Sequence, residues 1–269
     1  MSSSWQHIIQ STFGLHGKSM PPQSHDWKWS ARGRNAFATG NSGSNLTTCV
    51  LKTGEDSLQE GAYCRALGPE VTPRVYTLLP DGYVMEQLEP APRHRGLLCE
   101  MENLLRNHVW HRKSVNYDVT GQMDYLEYHA ALGLTVPPEL IPHRFTMAHG
   151  DPTVSNALVR YKELRGDHQL VICDPRPPRA YIPQCPESDM GRLVQSAFGW
   201  EVVAYGWERI RYDAPIFWRN DTLRPRALFW CAAACKRIEK KELSKPTPRP
   251  HVLEWCETTV RDCMRFIYE

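Results

Sequence analysis

The chain has 269 residues, 41% hydrophobic and 23% charged, with a formal net charge of +2. That length favours one large or two small domains with an apolar share sufficient for a core, and the near-balanced charge argues against a nucleic-acid binder, which needs clustered Lys and Arg. No apolar run is long enough to span a bilayer, and the N-terminus Met1-Ser2-Ser3-Ser4-Trp5 has neither the basic nor the apolar segment of a secretory signal.

Residues 1–35 carry a short candidate helix face (Trp5, Ile8, Ile9, Phe13), and Trp27 and Trp29 alternate as on a strand. From Ala36 a strand leads into a small polar loop, Gly40 to Asn45, and the β-branched run Leu46 to Lys52 reads as the returning strand. Such a hairpin can lay backbone N–H groups of Ser42, Gly43 and Ser44 over phosphates. Lys52 ends an otherwise apolar strand, as an edge charge or as a phosphate-contacting lysine. Residues 55–68 read as a helix with an acidic first turn and Gly68 at its C-cap. Glu60, near its middle, is the candidate ion-pair partner of Lys52, with Glu55 and Asp56 as competitors. Val71 to Leu79, Pro80-Asp81-Gly82 and Tyr83 to Leu88 match a second hairpin. Glu89-Pro90-Ala91-Pro92 reads as a linker, because each residue before a proline is disfavoured in helix.

Beyond the linker the chain reads as mainly helical. Leu97, Leu98, Met101, Leu104, Leu105 and Val109 keep helical spacing, and a second pattern covers Met123 to Leu132. Met190, Leu193, Val194 and Ala197 form the apolar face of another helix, whose start Ser188 or Asp189 can cap. Ala227 to Leu243 and His251 to Ile267 read as the last two helices, separated by Pro246, Pro248 and Pro250. Trp200 and the aromatics after it suit either an acceptor pocket or core packing. Nine cysteines, an odd number without a Cys-x-x-Cys pair, are expected as free thiols in a reducing cytoplasm. His108 and His111 have no further metal ligands near them in sequence and are expected at a solvated helix end.

The chemistry concentrates between Met147 and Arg176. Apolar residues deliver the chain into His149-Gly150-Asp151; Asn156 follows five residues later, and the strand Leu170 to Cys173 ends on Asp174. Two carboxylates and a carboxamide at adjacent strand ends suit holding Mg²⁺ against a nucleotide and accepting a proton from an attacking hydroxyl. Phosphoryl transfer asks little more of side chains, since it works by positioning and charge neutralisation. Magnesium keeps several waters and takes few protein ligands, so one Asn and one Asp form a sufficient set.

This pattern resembles the aminoglycoside-phosphotransferase and choline-kinase-like family, the small-molecule branch of the protein-kinase fold. Its signature, His-Gly-Asp, four residues, Asn, then a strand ending in Asp, is met without a gap. The resemblance implies an α+β, protein-kinase-like, two-lobed fold. A small antiparallel-sheet lobe (residues 1–89) would bind nucleotide, and a larger, mainly helical lobe (90–269) would carry the catalytic loop and acceptor site. By the same resemblance Asp151 is the catalytic base, Asn156 and Asp174 bind Mg²⁺, and His149 and Gly150 shape the loop. Lys52 pairs with Glu60 beside the phosphates of ATP, while Met85, Glu86 and Leu88 border the adenine at an interlobe hinge. Asp189 would accept hydrogen bonds from the catalytic-loop backbone. Arg176 either touches a substrate phosphate or anchors its loop, and Trp200 is a candidate for the acceptor pocket. Asp174-Pro175-Arg176 and the later Asp189-Met190-Gly191-Arg192 resemble more narrowly a subset associated with polysaccharide and sugar-nucleotide pathways.

The expected activity is therefore transfer of the ATP γ-phosphate to a hydroxyl of a small molecule, sugars and sugar-containing metabolites included. An inactive nucleotide-binding or interaction protein of the same fold is the alternative, as is a kinase acting on a nucleoside or a protein. A protein kinase is disfavoured because the His-Arg-Asp, Asp-Phe-Gly and Ala-Pro-Glu signatures are absent.

Overall fold

The computed structural model describes residues 28–32, 35–42, 45–54, 56–80, 82–112, 121–142, 144–161, 168–177 and 184–268. The chain forms two compact units, one holding the chain up to Pro69 together with Pro73–Leu88, the other Glu70–Thr72 and everything from Glu89 onward.

The first unit is a five-stranded antiparallel sheet in the order β1-β2-β3-β5-β4, with β1 Lys28–Arg32, β2 Asn35–Ser42, β3 Asn45–Thr53, β4 Val75–Leu79 and β5 Gly82–Glu86. The loop expected from Gly40 to Asn45 is shorter than the sequence suggests. Gly40, Asn41 and Ser42 pair with Thr47, Leu46 and Asn45, because backbone pairing continues through small polar residues as readily as through apolar ones. Gly43 and Ser44 lie outside the described residues, as do Trp27 and the candidate helix near Trp5. Helix α1, Ser57–Leu67, packs on β4 and β5 and ends at Gly68, whose φ of 90° lets its N–H reach the Cys64 carbonyl. Val50, Tyr83 and Met85 form this unit's buried cluster.

The second unit has a small antiparallel sheet, β6 Glu89–Pro90, β7 Ala157–Tyr161 and β8 His168–Ile172, in the order β6-β7-β8. Its helices are α2 Leu97–His108, α3 Gly121–Ala130, α4 Pro186–Ala197, α5 Trp200–Tyr205, α6 Leu223–Leu243 and α7 Pro250–Tyr268. Helix α6 packs against both α4 and α7, and is buried without interruption from Arg226 to Cys235. Helix α4 starts earlier than its polar residues suggest: Pro186 sits in the first turn, where its locked φ and missing N–H are tolerated. Ser188 and Asp189 therefore lie inside the helix and do not cap it. Every residue of α4 from Pro186 to Ser196 is buried, so its polar side chains must find partners in the interior. The turn between α6 and α7 is pinned by Glu242, which accepts hydrogen bonds from Lys245 Nζ (2.6 Å) and from Arg249 Nε (2.9 Å) and backbone N–H (3.0 Å). No helix among the described residues is long and apolar enough to cross a membrane.

Candidate active site

In the second unit, the turn His149-Gly150-Asp151 leads through a 3₁₀ turn, Val154–Asn156, into β7. Gly150 has φ +83°, and a Cβ there would stand 2.9 Å from Arg176 Cβ and 3.0 Å from its carbonyl oxygen. Both conformation and space therefore require glycine. His149 is fully buried; its Nε2 faces the Ile172 carbonyl at 3.1 Å and its Nδ1 accepts the Asp151 N–H at 3.4 Å. Burial pushes this imidazole down to about 4, so it is neutral at pH 7, with the proton on Nε2. Both of its ring nitrogens are thus engaged by backbone groups of Ile172 and Asp151.

Asp189, from α4, gathers three donors on one carboxylate. Its Oδ2 accepts from Trp110 Nε1 (2.9 Å) and the His149 N–H (2.8 Å), and its Oδ1 from the Gly150 N–H (2.7 Å). The backbone contacts are those the family resemblance implies. Burial raises this carboxyl to about 6 against the opposing effect of those hydrogen bonds. From α4 and α5, Ser196 Oγ accepts the Val154 N–H at 3.1 Å and donates to Glu201 at 2.8 Å. Glu201 also accepts the Ser155 N–H at 3.3 Å.

Asn156 Nδ2 donates to the Asp151 carbonyl at 2.8 Å, which turns Oδ1 away from that carbonyl. The Cys173 N–H donates to the Asn156 carbonyl at 2.9 Å, tying the end of β8 to the same turn. Asp174 follows with φ 57°, the one non-glycine positive φ among the described residues. Asp tolerates that conformation better than most residues, and such outliers concentrate at functional sites.

The Asp151 carboxylate is held by two arginines. Oδ2 accepts from Arg176 Nε (3.0 Å) and Nη2 (2.7 Å), while Oδ1 accepts from Arg192 Nε (2.7 Å) and Nη2. Burial alone would raise this carboxyl, but the guanidinium groups of Arg192 and Arg176 outweigh it and hold it well below the usual carboxylate range.

In the first unit, Lys52 Nζ lies 2.5 Å from Glu60 Oε1, and Tyr83 Oη donates to the same oxygen at 2.8 Å. Lys52 and Tyr83 are cross-strand partners in the β3–β5 ladder. Met85 is buried in β5 opposite Val50, the Glu86 N–H donates to the Arg74 carbonyl at 2.8 Å, and half-buried Leu88 is the last residue of this unit.

No family model and no curated protein matches the chain. Solved structures match nearly all of it. An ethanolamine kinase from Plasmodium vivax aligns with a TM-score of 0.55 at 10% identity, over 96% of this chain and 87% of its own. A choline/ethanolamine kinase family protein from Mesorhizobium loti gives 0.53 at 14% identity, over 98% and 95%. The choline kinase LicA from Streptococcus pneumoniae gives 0.51 at 11% identity, over 98% and 100%. The fold is that of the choline and ethanolamine kinases.

Within this kinase-like fold, the structure brings His149, Asp151, Asn156, the end of β8 before Asp174, and Arg176 together around one turn, and pairs Lys52 with Glu60 separately. Trp200 opens α5, its ring 5.4 Å from that of Trp255. Arg176 touches Asp151, so it anchors the turn as well as facing the neighbouring pocket. Three residues escaped the sequence reading: Arg192, Arg237 and Tyr83. Arg192 carried a signal, a cation on a helix with an apolar stripe, three residues after Asp189. Arg237 looked like a member of the basic helix end, and Tyr83 like an ordinary strand aromatic.

Proposed function

We propose that this protein is a kinase that moves the γ-phosphate of ATP to a hydroxyl of a small molecule, with sugars and sugar-containing metabolites as the first class to test. One observation carries the reading: Asp151, Asn156 and the strand end before Asp174 are assembled by backbone and side-chain hydrogen bonds on one buried scaffold. Asp151 is the proton acceptor. The acceptor hydroxyl oxygen bonds to the γ-phosphorus, the bond from that phosphorus to the ADP oxygen breaks, and the hydroxyl proton passes to the Asp151 carboxylate. Lys52, steadied by Glu60 and Tyr83, contacts phosphate oxygens, and Met85, Glu86 and Leu88 border the base. Asn156 Oδ1 and the Asp174 carboxylate would hold Mg²⁺, which supplies charge neutralisation to the phosphates when bound. Among the described residues no three His, Cys, Asp or Glu side chains converge as a metal cage. An ion on Asn156 and Asp174 would complete its shell with phosphate oxygens and water.

A second reading, nucleotide binding without turnover, is favoured by the double arginine grip on Asp151, which leaves its carboxylate a weak base. The similar structures named above are choline and ethanolamine kinases, and both of those molecules are cations. Arginines beside Asp151 suit a cation poorly, so the acceptor proposed here belongs to a different charge class.

The test is a thermal-shift titration of wild type and Asp174→Ala with ATP, GTP and ADP, with and without Mg²⁺. A ligand at a hundred times its Kd stabilises the native state by about 2.7 kcal/mol. A Mg²⁺-dependent rise in the wild type that the variant loses is the expected result. No rise with any nucleotide would remove the kinase reading. A rise without phosphoryl transfer to any acceptor tried would favour the second reading.

A further inference from the structure

Beside Asp151 the second unit holds a narrow pocket bordered by Gly150, Arg176, Arg192, Trp230 and Arg237, with no Asp or Glu side chain among the described residues that line it. Three guanidinium groups face this space, and Asp151 is the acid that grips two of them. Arg192 is spent internally: its Nε and Nη2 go to Asp151 and its Nη1 to Gln195. Arg176 commits Nε and Nη2 to Asp151, and its Nη1 has no partner among the described residues. Arg237, partly buried on α6, has no hydrogen bond or ion pair with any described residue. Burial and the neighbouring charge of Arg176 push it down to about 10, still cationic at pH 7. Trp230, only 5% exposed, lines the same pocket, and its buried Nε1–H has no acceptor among the described residues. A buried donor without an acceptor is costly, and three guanidinium groups here share the single negative charge of Asp151, whose two oxygens already accept from Arg176 and Arg192. Oxygen atoms bearing negative charge in the pocket would balance the excess of guanidinium charge and offer acceptors to the donors that line it.

We propose that the acceptor substrate carries an anionic group, phosphate or carboxylate, in addition to the hydroxyl it offers to Asp151, and that Arg176, Arg237 and Trp230 bind that group. The proposal rests on the kinase reading above and names its substrate class. It also resolves the grip on Asp151. Anionic oxygens compete for the Arg176 fork, whose planar donors match them in pairs, and the partner they draw away is the one on Oδ2. The carboxylate oxygen then faces the hydroxyl and its proton. A neutral polyol lacks the charge to make that exchange, and a cation is repelled by it.

The experiment uses the full chain saturated with Mg²⁺ and ADP, so that added anions do not report on the nucleotide site. Glucose, glucose 6-phosphate, glucuronate and inorganic phosphate are titrated into wild type and Arg237→Gln, following the melting midpoint. The expected result is a rise with the anionic probes, none with glucose, and an affinity in Arg237→Gln weaker by about 10- to 100-fold, the cost of one charged hydrogen-bonding partner. The phosphate and carboxylate arms tell the two anion chemistries apart. The Mg²⁺–ADP rise must be the same in both proteins, which shows that the variant folds. Equal responses to glucose and its phosphate, or anion binding unchanged by Arg237→Gln, would overturn the anionic acceptor while leaving the kinase reading intact. Loss of the Mg²⁺–ADP rise from the wild type would instead remove the kinase reading, and this proposal with it.

Discussion

Asp151 shows how far a single residue's behaviour depends on its neighbours. An aspartate in solution titrates near pH 4; here burial opposes ionisation, and the charges of Arg192, Arg176 and Arg237 more than reverse it. The sign for stability follows: the contribution is complete above the unfolded value and disappears as pH falls through the depressed folded one. Replacing Arg176 with Gln removes one of the three arginine charges that lower it, so the Asp151 carboxyl should titrate at higher pH while remaining ionised at neutrality. Carbon-13 NMR of aspartate-labelled protein checks this directly, and an unmoved Asp151 resonance would mean that Arg176 does not hold it. Removing the carboxylate itself by Asp151→Asn should slow phosphoryl transfer by about 10²–10⁴-fold, the contribution of a positioned general base. Measured turnover near wild type would assign proton transfer to another group.

Among the elements, α4 does the most to shape the site, and it does so from inside the second unit. One helix supplies Asp189 to the His149 and Gly150 amides, Arg192 to Asp151 and Ser196 to the Val154 amide. It can do this because its other side lies close on α6. A Cβ on Gly191 would meet Trp230 Cβ at 2.5 Å and the Cys231 nitrogen at 2.8 Å. Gly191→Ala must therefore push two packed helices apart, and overpacking of this kind costs about 1–3 kcal/mol. A drop in melting midpoint of several degrees is expected, together with weaker Mg²⁺–nucleotide stabilisation as the turn loosens. A midpoint equal to wild type would show that the interface adapts. Much of this was readable beforehand. The apolar spacing of Met190, Leu193 and Val194 announced the helix, and Asp189 followed from the resemblance. The burial of the opposite, polar face was not, because periodicity marks one apolar stripe and says nothing of what covers the other side; Ala197, read as inward, is exposed.

For the molecule as a whole, the cysteines provide the broadest check. All nine are free thiols, and seven are buried; Cys99 and Cys173 are partly exposed. A structural disulfide would contribute about 2–4 kcal/mol, so the melting midpoint should not change when reductant is added. In the folded protein an alkylating reagent followed by mass spectrometry should label Cys99 and Cys173 ahead of the rest. A midpoint lowered by reductant would reveal a bridge. The small net charge of +2 is also a whole-chain quantity, and it conceals the local excess of arginine beside Asp151.

Local pattern was enough for the fold class and for the order of the candidate site. The spacing of His149, Asp151, Asn156 and Asp174 is short-range, and the strand and helix periods are set by neighbouring residues, so both survive in a one-dimensional reading. The pairing of Lys52 with Glu60 was also within reach, being only eight positions apart, although Tyr83 was not. The grip on Asp151 came from tertiary structure alone. Arg176, Arg192 and Arg237 are spread over 62 positions (237 minus 176, counted inclusively), and they meet because α4 packs on α6 while the Arg176 N–H is tied to the His149 carbonyl. Nothing in the local sequence around any of them specifies which carboxylate it finds, since long charged side chains choose partners by proximity and desolvation, and both are properties of the folded chain.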